Sequence, residues 1–538
     1  MSCAPSWNNT FASLGEFITR HEGSYFVEVG GGVFLEPNTS IERRCLKNEI
    51  LSSLESYRTP PAFSLTSIPK EKLLLTDQTT VSVENTEVPP KLFFALLRNT
   101  RMDIGKNISI FGQIENETGI EERHFPLSLK IHGDNEANTN LVLENIDKIQ
   151  PRSIGIDFIG IELLDTVLIS LLPKLDLKEN GEVKELILCA DKKEQVSAIL
   201  TQNEKISVGR IKKIVLREYA LAILPELDLE EVGNPKELYL CGSEKEHVAV
   251  ILKQEEKISV RGVKKIVLRD YAVAILSKLG LEEVGELGGL SLYGGEKEHV
   301  AAILKQEKKI SVRGTKEISL VGYAVNILPR LDLEEVGNPN ELYLCGGGIK
   351  DVAAIIAQKE KISVRGVKKI VLRDYAVAIL PRLDLEEVGE LEGLSLFADE
   401  KEHVAAILAK KEKIPVRGVK EISLVGYAAS VLPRLDLRED GGLKELKMRV
   451  CTEESHCSEI FEQEDESIDV WDAKIKIAIY APWGSSPSYF ESGILSKLKR
   501  SNIAERVLRR FKDFLFLLAV WARVLTTEAS RDLNRRLN

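Results

Sequence analysis

Residues that cross-link or fill a core in one place are scarce in this chain: its 538 residues include 7 Cys, 4 Trp and 3 Met. An odd number of cysteines at no framework spacing excludes a disulfide-stapled scaffold and fits a reducing compartment. Long apolar runs are missing too. The longest, 514–522, has nine residues, against the roughly 20 that a membrane-crossing helix needs. The opening MSCAPSWNNTF has no basic stretch leading into an apolar one, so no secretory signal is expected there, and the sequons at Asn8, Asn38, Asn107 and Asn116 are expected to go unused. There is no nucleophile elbow, no HExxH and no Walker motif. Glycines 30–32 are followed by no GK[ST], which removes the phosphate-loop reading and leaves a tight turn between two short strands. A net charge of −10 is modest for this length and argues against general nucleic-acid binding.

What the chain does have is repetition. Across 153–464 a 52-residue unit is written six times, with KISVRG or a variant starting at Lys205, Lys257, Lys309, Lys361 and Lys413 and a degenerate copy near Ser153. Pro173, Pro225, Pro329, Pro381 and Pro433 mark one position of the unit, with Ser277 standing in once. A constant period without insertions marks a solenoid, in which each unit buries its apolar face against its neighbours. A longer period runs through it: Lys257 to Leu276 is identical to Lys361 to Leu380, so a 104-residue block was copied whole. Such copying lengthens a surface without changing its chemistry.

Each unit splits into two halves of similar pattern. Ile266 and Leu268, or Leu290 and Leu292, alternate as in a short strand. Ala272, Ile275, Leu276 and Leu279 then come at i, i+3, i+4, i+7, which predicts a helical face, shortened or kinked where Pro closes it. In the second half Val300, Ile303 and Leu304 repeat that spacing after acidic residues suited to a helix N-terminus. The half beginning Ile211-x-x-Ile214-x-Leu216-x-x-Tyr219-x-Leu221, at alternating steps of 24 and 28 residues, resembles the leucine-rich repeat, and most closely its ribonuclease-inhibitor subtype. That resemblance implies an α/β solenoid of twelve half-repeats, a horseshoe with a parallel sheet on its concave side. In place of the family's asparagine stand Tyr219, Tyr271, Tyr323, Tyr375 and Tyr427, which cannot build its asparagine ladder. The internal duplication resembles in style the expanded leucine-rich repeat families of microsporidian parasites.

The flanks divide into a mixed N-terminal region, 1–104, an N-terminal cap, 105–152, and a C-terminal cap, 465–538. In the first, a short helix is predicted over 92–97 after Pro89 and Pro90, and a loop over 76–86. Ile108 and then Leu127, Leu129 and Ile131 read as strands of the cap. Nine carboxylates and no Lys or Arg between 453 and 472 read as a solvated linker. Ile475, Ile477 and Ile479 alternate like an edge strand. The last stretch, 497–538, carries eleven Lys and Arg against four acids on a predicted amphipathic helix. That helix could cap the solenoid, dock a partner or lie weakly on an anionic membrane surface.

The candidate binding residues come from the strand alternation, since residues flanking a buried pair point the other way. They are Arg217, Tyr239, Arg269, Tyr293, Tyr343, Arg373 and Phe397, on a face that also shows Val215, Val371 and several Ser and Glu. Arg and Tyr are prominent among interface hot spots. The alternative is an ordinary solvated sheet face copied along. Cys189, Cys241 and Cys345 share a strand position too far apart for disulfides. His247, His299 and His403 recur at a helix start, where Gln195 and Asp351 also occur, which disfavours a ligand or base role. Cys451, His456 and Cys457 match no closed zinc spacing. The expectation is an intracellular, cytoplasmic, non-catalytic scaffold for a protein partner, with no cofactor, metal, nucleic acid or integral membrane segment. A stoichiometric regulator of an enzyme and a peripheral membrane protein are the alternatives.

Overall fold

The computed structural model describes residues 17–111 and 128–451, apart from gaps of which 38–49 and 133–138 are the longest, together with 474–480 and 488–491. The Trp residues, the sequons, the acidic stretch 453–472, the pair His456 and Cys457, and the basic segment 497–538 lie outside the described residues. The chain divides into two compact units, Met1–Val263 and Lys264–Asn538.

The first unit begins with a four-stranded antiparallel sheet, ordered Phe17–His21, Ser24–Val29, Gly32–Pro37, Leu73–Leu75. The expected pair of short strands is its centre, and the turn glycines Gly30 and Gly31 lie outside the described residues. The expected short helix is Pro90–Asn99, with proline at its first position, where no amide is needed. The loop expected over 76–86 is corrected: Thr80–Val83 and Thr86–Val88 are strands. Thr80 and Ser82 read as loop polarity, but Val81 and Val83 between them are fully buried, which is the alternation of a half-buried strand. Asn145 ties this region together: it accepts the Met102 N–H at 2.9 Å and donates to Leu97 O at 3.0 Å and Thr100 O at 2.8 Å. Buried amides need such partners.

From there the unit runs as a parallel sheet, Ser128–His132, Gly160–Leu164, Glu185–Ala190, Lys213–Glu218 and Glu237–Gly242, each paired with the next. The second unit has the same construction: Lys265–Asp270, Leu287–Gly294, Thr315–Gly322, Glu341–Gly346, Lys369–Asp374, Gly393–Ala398, Glu421–Gly426, Glu445–Cys451 and Lys474–Tyr480 are parallel, and Ser488–Glu491 closes the order antiparallel. The strand around Ile475, Ile477 and Ile479 is therefore interior to this sheet, not the edge its alternation suggested. The register pairs Ile370 with Leu394 and Leu394 with Ile422, the steps of 24 and 28 residues in the sequence.

The two halves of each unit differ in the helix that succeeds the strand. In the first it is a 3-10 helix, as in Tyr219–Glu226, Tyr271–Lys278, Tyr323–Arg330, Tyr375–Arg382 and Tyr427–Arg434. In the second it is an α-helix of seven to nine residues, as in Lys245–Lys253, Lys297–Leu304, Ile349–Ala357 and Glu402–Leu408. The expected α-helical face at Ala272, Ile275, Leu276 and Leu279 is thus corrected. Ala272, Val273, Ala274, Ile275 and Leu276 are all buried in succession, which no single-stripe helix allows. Proline, which lacks an amide, stands at the seventh residue of the other four 3-10 helices named above. Tyr271–Lys278 has Ser277 there and winds the same way, so proline is accommodated by the 3-10 helix and is not its cause.

Candidate functional site

Strand alternation sorts the second unit cleanly. Ile266, Leu268, Leu290, Leu292, Ile318, Leu320, Leu342, Leu344, Ile370, Leu372, Leu394 and Leu396 are all at most 1% exposed. The opposite face carries three rows running across the strands. At the strand starts lie Lys265, Gly289, Glu317, Glu341, Lys369, Gly393, Glu421 and Glu445; in the middle Val267, Ser291, Ser319, Tyr343, Val371, Ser395, Ser423 and Lys447; at the strand ends Arg269, Tyr293, Val321, Cys345, Arg373, Phe397, Val425 and Arg449. In the first unit the register sets Lys213 beside Glu237, Val215 beside Tyr239 and Arg217 beside Cys241.

The structure puts Arg217, Arg269 and Arg373 among the exposed residues and Tyr239, Tyr293, Tyr343 and Phe397 among the half-buried ones. Tyr293, Arg373 and Phe397 share the strand-end row with Arg269, and Tyr343 lies one row away. Two residues expected on this face are covered: Val215 and Val371 are 6% and 7% exposed. Each has a tyrosine beside it in register, Tyr239 and Tyr343. Val267, paired with Ser291, stays half-exposed.

Charges on the face are partly consumed internally. Lys369 pairs with Glu341 at 3.0 Å, Lys447 with Glu421 and, at 3.2 Å, with Glu445, and Lys213 with Glu185. The hydrogen bonds that Lys213 donates to Glu185 and Lys447 to Glu421 hold these ammonium groups above their ordinary pKa. Lys213 also lies 5.2 Å from the Tyr239 ring centre, and Arg269 lies 5.6 Å from that of Tyr293. Arg373 has only loose acidic neighbours, Asp374 at 3.6 Å and Asp399 at 3.9 Å, of which Asp374 contributes most to raising its pKa.

A second constellation, not foreseen from the sequence, recurs where strand meets turn. Tyr219, Tyr271 and Tyr375 set their rings edge-on to His247, His299 and His403, with centres 4.5, 4.6 and 4.6 Å apart. Each histidine is buried near the start of its helix, where Nδ1 accepts the amide N–H of Glu244, Glu296 or Glu400. An acid ahead of each tyrosine faces the same nitrogen: Glu218 at 2.7 Å, Asp270 at 3.6 Å and Asp374 at 3.8 Å. These acids hold φ near +55°, a region costly for any side chain. Where the acid is replaced by Gly322, the histidine place holds Asp351, whose Oδ2 accepts the Gly348 N–H at 3.0 Å. The recurring histidines therefore cap helices, and the tyrosines stand against them.

Cys189, Cys241 and Cys345 form no disulfide and are half-buried. Cys189 is the member of most chemical interest, because Asp165, Cys189 and Asp191 bring three ligand-type atoms within 4.8 Å of one another. Asp191 is exposed, and the trio is one ligand short of a closed four-ligand site. Burial, with Asp165 next, pushes the Cys189 thiol up to about 12, and burial, with Asp374 next, pushes Cys345 up as well. A thiol held protonated is a poor nucleophile. Among the described residues no helix is long and apolar enough to cross a membrane.

Comparison with protein-family models, with curated proteins and with solved structures gives no match. The chain is thus placed by its own geometry, as an α/β repeat protein whose regular strands form long parallel sheets in a solenoid-like arrangement.

Proposed function

We propose that this chain is a non-catalytic protein-binding scaffold that takes a protein partner on the open face of its parallel sheets. Within this reading the units are leucine-rich repeats of the ribonuclease-inhibitor kind, the open face is the concave side of a horseshoe, and the flanking regions are caps. The observation that carries it is the division of the sheet: one face is closed by aliphatic side chains, while the other offers exposed Arg beside half-buried Tyr, Phe and Val. Large aromatic and arginine side chains on a broad rigid surface are what interface hot spots use. The raised thiols make Cys189 and Cys345 poor nucleophiles.

Affinity capture from the native cell tests the proposal, comparing the intact chain with one in which Arg217, Arg269, Tyr239 and Tyr343 are all replaced by Ala. A partner recovered by the intact chain and lost from the variant is the expected result. Identical partner sets from both chains would remove the sheet face from the reading.

A further inference from the structure

We infer that the strand-end row of the second unit binds an extended, acidic segment of its partner, laid across the strands. This inference rests on the scaffold reading and adds the chemistry of the ligand. The row reads Arg269, Tyr293, Val321, Cys345, Arg373, Phe397, Val425, Arg449 in unbroken register. It contains three arginines, each exposed, and no carboxylate. Between them lie only half-buried aromatic, aliphatic or thiol side chains. The row at the strand starts has a different character, because Lys369 there is paired with the glutamate beside it, as Lys447 of the middle row is with Glu421 and Glu445. The middle row beside it carries serine at 291, 319, 395 and 423, and its Tyr343 is hydrogen-bonded to Arg373.

The carboxylates close to the arginines are drawn toward the turns. Asp270 Oδ1 faces His299 Nδ1 at 3.6 Å and Asp374 Oδ1 faces His403 Nδ1 at 3.8 Å. Arg373 meets Asp374 and Asp399 only at 3.6 and 3.9 Å, with about half its side chain in solvent. Exposed pairs of that kind are weak and yield readily to a ligand carboxylate that meets the guanidinium with two hydrogen bonds.

Spacing sets the ligand. Strands about 4.8 Å apart place Arg373 about 19 Å from Arg269, four steps away, and Arg449 about 14 Å further, three steps on. An extended chain rises about 3.3 Å per residue, so these gaps equal about six and about four residues. Both are even, so residues 1, 7 and 11 of an extended segment point the same way. The ligand is therefore a segment with Asp or Glu at 1, 7 and 11 and apolar side chains at 3, 5 and 9.

The probe is a fluorescent 11-residue peptide with Asp at 1, 7 and 11, Leu at 3, 5 and 9 and Ser elsewhere, titrated into the full chain and followed by anisotropy. Binding that weakens roughly tenfold or more in Arg373→Ala, in Arg269→Ala and with Asn in place of every Asp, and strongly with added salt, is expected. Lys369→Ala should bind as the intact chain does. Far-UV circular dichroism of each variant checks its fold, and Arg373→Glu should regain affinity for a peptide carrying Lys at 7. Equal binding of the Asp and Asn peptides, an equal loss in Lys369→Ala, stronger binding of oligouridine at the same row, or no binding at all would overturn the inference. If the peptide fails while native capture still yields a partner lost from the face variant, the scaffold stands and the acidic ligand does not. If both fail, both readings fall.

Discussion

Replacing Gly322 by Asp puts the exchange between strand end and helix start under direct test. Two costs add. A Cβ at Gly322 would lie 2.4 Å from the Gly294 carbonyl oxygen, at a φ of +64°. Forcing a non-glycine residue there costs about 1–3 kcal/mol. The new carboxylate would also face Asp351, which occupies the place held by His299 and His403 in the other copies. Two unit charges at about 4 Å interact with about 4 kcal/mol at an effective dielectric of about 20, and partial solvent exposure reduces this to about 1 kcal/mol. A total destabilisation of about 2–4 kcal/mol results. Urea unfolding followed by far-UV circular dichroism measures it as a shift in midpoint at constant slope. The companion change, Gly322→Asp with Asp351→His, recreates the arrangement of Asp270 and His299, which sit 3.6 Å apart. It also keeps the cap, since His Nδ1 can accept the Gly348 amide as His299 accepts that of Glu296 at 3.2 Å. The double variant should therefore recover about 1 kcal/mol and leave the strain. A double variant no more stable than Gly322→Asp alone would refute the electrostatic account of the exchange.

Three further outcomes are expected. Leu372→Ala, at a side chain with 0% exposure, should destabilise by about 2–5 kcal/mol in the same unfolding assay. Arg269→Ala and Arg373→Ala, both exposed, should leave stability within about 0.5 kcal/mol; a larger loss in either would remove it from the free face. Cys189, whose thiol is pushed from 9.0 to about 12, should alkylate at pH 8 on the order of a thousandfold more slowly than an unperturbed thiol. Because its folded pKa lies above the unfolded value, its contribution to stability is complete below pH 9 and is lost as pH rises toward 12. Cys189→Ser should abolish that part of the alkaline slope, with peptide mapping of iodoacetamide adducts as the companion readout.

The strands were legible because they depend on neighbours two apart in sequence. Ile370 and Leu372 alternate with Lys369, Val371 and Arg373, and the 24- and 28-residue steps fixed which strand lies beside which. The segment after Tyr271 is a 3-10 helix where the spacing predicts an α-helical stripe, for a physical reason. Ala272, Ile275 and Leu276 fit an α-helical stripe, but Val273 and Ala274 are buried with them, because the segment packs against neighbouring elements on more than one side. Burial of Val215 and Val371 is not legible in the alternation, which places both on the open face; each has a tyrosine beside it in register, 24 residues downstream and 28 upstream. The Tyr, His and acid clusters were hidden likewise: Tyr219 and His247 are 28 residues apart and meet only through stacking of successive strands.

One signal in the sequence could have found those clusters without coordinates. The repeats serve as an internal alignment, in which Glu218, Asp270 and Asp374 go with His247, His299 and His403, while Gly322 goes with Asp351. Position 351 must supply an acceptor for the helix-start amide, and either imidazole Nδ1 or a carboxylate oxygen serves. The carboxylate is compatible only with a strand end that brings no second acid, which glycine satisfies while also easing the positive φ. Copying a 104-residue block moves both members together, so duplication carries the matched pair intact and the array grows without juxtaposing two acids. A 52-residue copy started between the two positions would separate them. The longer period visible between Lys257 and Leu380 is therefore the unit in which strand end and helix cap remain mutually consistent.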